Sequence, residues 1–118
     1  MPTIKLFSLL LMAAIYCFAG ISHFLKPSIF LKITPKWVPY PKKVNLLIGG
    51  VELVLGIALL FSMTRSFAAI GIIALLIAVF PANIYHFQLA VRKRKFVFPT
   101  LMRLPIQILL IYWAYTFI

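Results

Sequence analysis

The chain has 118 residues, 64% of them hydrophobic, and carries twelve Lys and Arg against one acidic residue, for a net charge of +11. Its mean hydropathy of +1.11 excludes a water-soluble domain, whose surface needs a far larger polar share. The positive charge does not point to nucleic acid, because it falls in short segments between apolar runs and no recognition module accompanies it.

Four apolar runs approach the roughly 17–25 residues that cross a bilayer. They predict an all-α, integral membrane four-helix bundle of up-and-down topology: one transmembrane domain over 1–118, with spans at about 4–24, 44–61, 66–87 and 100–118. The first run resembles a signal peptide with Lys5 as its basic flank. Its length, and Tyr16 where a lipoprotein cleavage site needs a small residue, predict a retained helix.

Next comes "KPSIFLKITPKWVPYPKK", residues 26–43, whose four prolines forbid a long helix. One or two turns are expected over Ser28 to Ile33, with Pro27 at the start, where its missing N–H costs nothing. Ile29, Phe30 and Ile33 can dip into lipid while Lys26, Lys32 and Lys36 stay wet, and Trp37 and Tyr40 suit headgroup depth. The segment reads as an interfacial loop or as a lid over a membrane site. The second span follows, then the tight link "SMTR", the third span, the basic loop "VRKRKF", and a fourth span ending in the aromatic belt Tyr112, Trp113 and Tyr115.

Charge sets the expected orientation. The first and third loops hold Lys26, Lys32, Lys36, Lys42 and Lys43, then Arg92, Lys93, Arg94, Lys95 and Arg103. The opposite side has Lys5 and Arg65. Basic residues stay cytoplasmic, so both termini are predicted outside and both basic loops inside. "GISHFLK" and "NIYHFQL" share Ile-x-His-Phe ahead of each basic loop, an echo too short to separate hairpin duplication from coincidence.

The sole acidic residue, Glu52, lies in "LLIGGVELVLGIALLF". A carboxylate at that depth is costly and must face protein or water. Gly49 and Gly56 share its helix face and admit a close neighbour. Span one offers Ala13, Tyr16, Gly20 and His23 on one face; span four offers Arg103, Gln107, Leu110 and Ala114; span three offers Asn83 beside Pro81, which leaves the Ile77 carbonyl without its helical partner. At 1.5 Å per residue Glu52 lies about 12 Å from the basic side, Gln107 about 9–10 Å and Asn83 about 6 Å. One polar cluster is therefore expected: Glu52, Arg103, Gln107, Asn83, His23 and Tyr16, with Arg103 paired to Glu52 and Asn83, Gln107 or Tyr16 hydrogen-bonded to it. Such a pair either pins span two to span four or builds a ligand or proton site.

No metal, flavin or iron–sulfur motif is present, and the single Cys17 allows neither an internal disulfide nor Cys-x-x-Cys chemistry. His23 and His86 close equivalent ends of spans one and three and could ligate haem axially, but histidines at helix ends more often sit at the interface.

The stretches "GISHFLKPSIFLKITP", "IGGVELVLGIALL", "TRSFAAIGI", "VFPANIYHF" and "RLPIQILLIYWA" resemble the DoxX-like family of small four-helix membrane proteins. The resemblance runs from Gly20 to Ala114 and rests on Gly20, His23, Phe24, Pro27, Gly50, Glu52, Gly56, Arg65, Pro81, Ala82, Asn83, Arg103, Pro105 and Gln107. It implies a four-helix bundle in the plasma membrane and no catalytic residue. Some relatives are subunits of thiosulfate:quinone oxidoreductase or associate with redox partners, and distant ones assist receptor assembly. The expected function is thus an accessory or redox-linked subunit that binds a quinone headgroup or a partner subunit and is no enzyme on its own. The alternatives are an assembly factor or structural subunit, or a small proton-coupled transporter using Glu52.

Overall fold

The structure, a computed structural model, describes residues 2–32 and 34–118. Among these residues the fold is all-helical, with five helices: α1 Thr3–Leu25, α2 Pro27–Lys32, α3 Pro41–Ala58, α4 Arg65–Lys93 and α5 Val97–Tyr115. Three of them, α1, α4 and α5, are long and apolar enough to cross a membrane. The 18 residues of α3 include Lys42, Lys43 and Glu52, which dilute its apolar character.

Proline placement explains several boundaries. Pro27 opens α2 and Pro41 opens α3, positions whose N–H has no intrahelical partner. Pro99 falls in the first turn of α5 for the same reason. Pro81 and Pro105 lie inside α4 and α5, which continue through them. The short helix expected after Pro27 is α2; Ile33 lies outside the described residues.

Two of the boundaries that differ from the sequence expectation have a local physical reason. The first half of the loop expected at "VRKRKF" is helix: α4 continues to Lys93, and Arg94 and Phe96 reverse the chain in left-handed conformation (φ 53° and 58°). Lys and Arg are good helix formers, and no glycine or proline intervenes before the turn. Helix α3 also ends at Ala58, three residues before the expected end of span two. Its open carbonyls are taken up by the next segment: Thr64 Oγ1 donates to Ala58 O at 2.7 Å, and Arg65 Nε to Leu59 O at 2.9 Å.

The helices pack as two pairs, α1 with α3 and α4 with α5, and α3 meets α4 beside their link. No close backbone approach joins α3 to α5. The α1–α3 contact depends on glycine. A Cβ on Gly20 would stand 2.6 Å from Gly49 O, and one on Gly49 would stand 2.6 Å from His23 Cβ. Only bare backbone allows that approach.

The apolar core occupies the end of the bundle away from the basic segments. Leu9, Met12, Ala13 and Tyr16 of α1 meet Leu59, then Ala68, Ala69, Ile72 and Leu76 of α4, and Ala114 and Phe117. Trp113 Nε1 donates to Ser8 Oγ at 2.7 Å and ties the last helix to the first. The opposite half of the bundle holds most of the polar side chains.

Candidate functional site: two polar clusters

The first cluster lies between α1, α2 and α3. The series Asn45, Gly49, Glu52, Gly56 runs down one face of α3 at four- and three-residue steps. It faces the stripe Ala13, Tyr16, Gly20, His23 of α1, which runs antiparallel. Glycines bring the backbones together, and the polar residues at 45, 52 and 23 meet in the space left.

His23 Nε2 lies 3.4 Å from Glu52 Oε2, with both side chains almost enclosed. That oxygen is buried and accepts no aligned hydrogen bond. On the other edge of the ring, His23 Nδ1 is 2.6 Å from Asn45 Oδ1, while Asn45 Nδ2 donates to His23 O at 3.0 Å. Phe30 of α2 stacks on the imidazole with ring centroids 3.7 Å apart and planes 19° from parallel.

These contacts fix the proton inventory. Asn45 must turn its amide nitrogen to the His23 carbonyl, so its oxygen faces Nδ1 and requires an N–H there. The remaining nitrogen, Nε2, faces a carboxylate. One proton between Nε2 and Oε2 makes the pair neutral overall, whether it rests on histidine or on glutamate. With no proton, a lone pair would face an anion in a low-dielectric interior. The arrangement is a one-proton site whose tautomer is set by Asn45.

The second cluster lies between α4 and α5. Gln107 is buried; it donates to Leu76 O and accepts from Asn83 Nδ2. Leu76 immediately precedes Ile77, whose carbonyl Pro81 leaves without a helical donor, so Gln107 serves the backbone of the Pro81 region. Near the basic end, Arg103 Nη1 donates to His86 Nδ1 at 3.2 Å in an exposed position. A guanidinium only donates, so His86 there is neutral with its proton on Nε2.

The single cluster expected from the sequence is thus divided in two. Glu52 is not paired with Arg103: its neighbour is His23, and Arg103 lies on His86. Asn83 and Gln107 meet each other and are not partners of Glu52. Tyr16 is buried in the apolar core and supplies no hydrogen bond to Glu52 Oε2. The physical reason is helix pairing: α3 chooses α1 through the glycine contact, and α5 chooses α4. Asn83 does not serve the freed Ile77 carbonyl either; its amide is spent on Gln107. Asn45 was missing from the expected site. It sits beside Lys42 and Lys43, where the sequence reads as a membrane border, yet stepping the Gly49–Glu52–Gly56 face back by four residues reaches it.

No curated protein and no solved structure matches the chain. Residues 12–118 match a family described as a domain of unknown function, DUF8561. With nearly its whole length matched, the chain belongs to the DUF8561 family.

Proposed function

We propose that the protein spans the plasma membrane four times, through α1, α3, α4 and α5, with both termini outside. We propose further that it acts as an accessory subunit whose His23–Glu52 pair seats the polar head of a quinone and handles one proton. Several observations support the membrane placement. More large hydrophobic side chains are exposed than buried, including Phe7, Phe18, Val54, Phe67, Ile77 and Leu109, which suits lipid and not water. The long dimension of 46 Å matches a bilayer with its headgroups. The aromatic and basic residues gather at the helix ends, and the resemblance to DoxX-like proteins noted in the sequence would imply the same architecture.

The observation that carries the functional reading is the one-proton site itself. A buried carboxylate facing a histidine whose other nitrogen is already committed holds one proton at net neutrality, can pass that proton to a ligand oxygen, and returns to neutrality when the next proton arrives. Quinone chemistry needs that service at a carbonyl oxygen. Phe30 already stacks a flat six-membered ring on His23, and a quinone ring displacing it would meet the same imidazole face. The chain supplies no redox group of its own, so the electrons pass through a partner subunit, and this protein's part is to hold the headgroup and supply the proton.

The test is extraction in native lipid particles followed by mass spectrometry of the lipids and proteins retained. An isoprenoid quinone should copurify with the unaltered protein and fall at least about tenfold with Glu52→Gln. Particles free of quinone, which also fail to take it up when it is added, contradict the reading.

One observation favours a second reading. Arg103 does not stand beside Glu52, so no fixed cation repels a cationic substrate there, and a proton-coupled exporter becomes chemically reasonable. Growth protection against cationic toxicants by the unaltered protein but not by Glu52→Gln would select it.

A further inference from the structure

We propose that the groove between α2 and the start of α3 seats the headgroup of an anionic phospholipid. The proposal rests on the membrane placement argued above and is independent of the His23–Glu52 site. The groove has a volume of about 330 Å³, with Leu31, Pro35, Val38 and Pro41 on its apolar wall and Lys36 and Lys42 on its polar side.

Charge selects the occupant. Glu52 is the only acidic side chain in the sequence, and it is engaged with His23. The exposed ammonium groups of Lys36 and Lys42 therefore have no carboxylate side chain to meet. Lys43, one residue on, differs: its Nζ lies over the Tyr40 ring, 5.3 Å from the centroid, and so is drawn onto its own aromatic neighbour. Of Lys36, Lys42 and Lys43, the two not drawn onto an aromatic ring are the two that line the groove. A phospholipid needs cations for its phosphate and an apolar wall for its glycerol and upper acyl carbons, and both are present side by side. A zwitterionic lipid brings its own ammonium to compete, whereas an anionic one is drawn by both lysines and by the field of the whole basic chain.

The groove is also preformed. Pro35, Pro39 and Pro41 fix the backbone, Thr34 Oγ1 donates to Phe30 O at 2.8 Å, and Val38 N donates to Pro35 O at 3.1 Å. Trp37, between two lining residues and 70% exposed, suits the headgroup level.

Trp37 supplies the readout. The full chain is reconstituted in phosphatidylcholine vesicles doped with brominated phosphatidylglycerol or, at equal mole fraction, brominated phosphatidylcholine. The Trp37 signal is the quenching seen in the unaltered protein and lost in Trp37→Phe. Quenching by the anionic lipid should exceed that by the zwitterionic one, reflecting association about fivefold stronger per lysine at low salt. Lys36→Gln with Lys42→Gln should abolish the preference, and Lys93→Gln with Lys95→Gln, on the other basic segment, should leave it. Circular dichroism of each variant in the same vesicles checks that the helices persist. Equal quenching by the two lipids, or a preference surviving Lys36→Gln/Lys42→Gln, overturns the headgroup seat alone. Loss of the preference on adding inorganic phosphate at constant ionic strength also overturns it, assigning the groove to the free anion. Quenching by neither lipid overturns the membrane placement together with the seat.

Discussion

His23 holds the only acidic side chain of the chain: its Nε2 stands 3.4 Å from Glu52 Oε2 while its Nδ1 is fixed by Asn45. The two residues come from α1 and α3, which pack through glycine, so the pair depends on backbone approach as much as on charge.

Asn45 controls the tautomer. Asn45→Leu leaves the His23 N–H and the His23 carbonyl without partners in a buried setting, at a cost of about 1–3 kcal/mol for each group left unpaired. Thermal unfolding in detergent should show the loss, and Asn45→Asp should not restore full stability, because a carboxylate cannot donate to the His23 carbonyl.

The glycine contact gives a graded series. Gly20→Ala and Gly49→Ala place a Cβ within 2.6 Å of Gly49 O and His23 Cβ respectively. Both should destabilise by about 1–3 kcal/mol through forced separation of α1 and α3. Gly50→Ala is the control: its Cβ would meet only the tip of the Phe24 ring at 3.9 Å. It should be neutral or gain up to about 1 kcal/mol from helix propensity. Unfolding midpoints of the three variants check the order.

Separation of the polar clusters predicts independence. Glu52→Gln and Arg103→Gln should change stability additively, within about 0.3–0.5 kcal/mol, as sites without shared partners do. A double-mutant cycle on Asn83 and Gln107, which touch, should instead show coupling of about 0.5–3 kcal/mol. Reversible unfolding of the four single variants and two doubles measures both cycles.

Orientation is testable at the α4–α5 turn. In a Cys17→Ala background, a cysteine placed at position 94 should react with a membrane-impermeant thiol reagent only after the cytoplasmic face is opened. A cysteine at position 63, in the opposite link, should react from outside in intact cells.

Much of the polar site was readable from spacing. The faces Gly49–Glu52–Gly56 and Tyr16–Gly20–His23 follow from three- and four-residue steps, and their common depth follows from helix rise. Glu52 and His23 could be placed in the same half of the bundle without coordinates. Periodicity says which face a residue occupies, not which helix faces it. Charge, face and depth together point Arg103 at Glu52, whereas the close approach of Gly20 to Gly49 selects α1 as the neighbour. The charge of the run from Arg92 resembles a boundary, yet Arg and Lys extend a helix readily. Lys42 and Lys43 beside Asn45 resemble the end of a span and mask its place on the polar face.

The most direct measurement is solid-state nitrogen NMR of histidine-labelled protein in lipid bilayers, with His86→Gln isolating the His23 signals. Nδ1 of His23 should be protonated at neutral pH, Asn45→Leu should disturb that assignment, and Glu52→Gln should move the Nε2 resonance. A bare Nδ1 with the proton on Nε2, or a His23 spectrum indifferent to Glu52→Gln, would contradict the one-proton site.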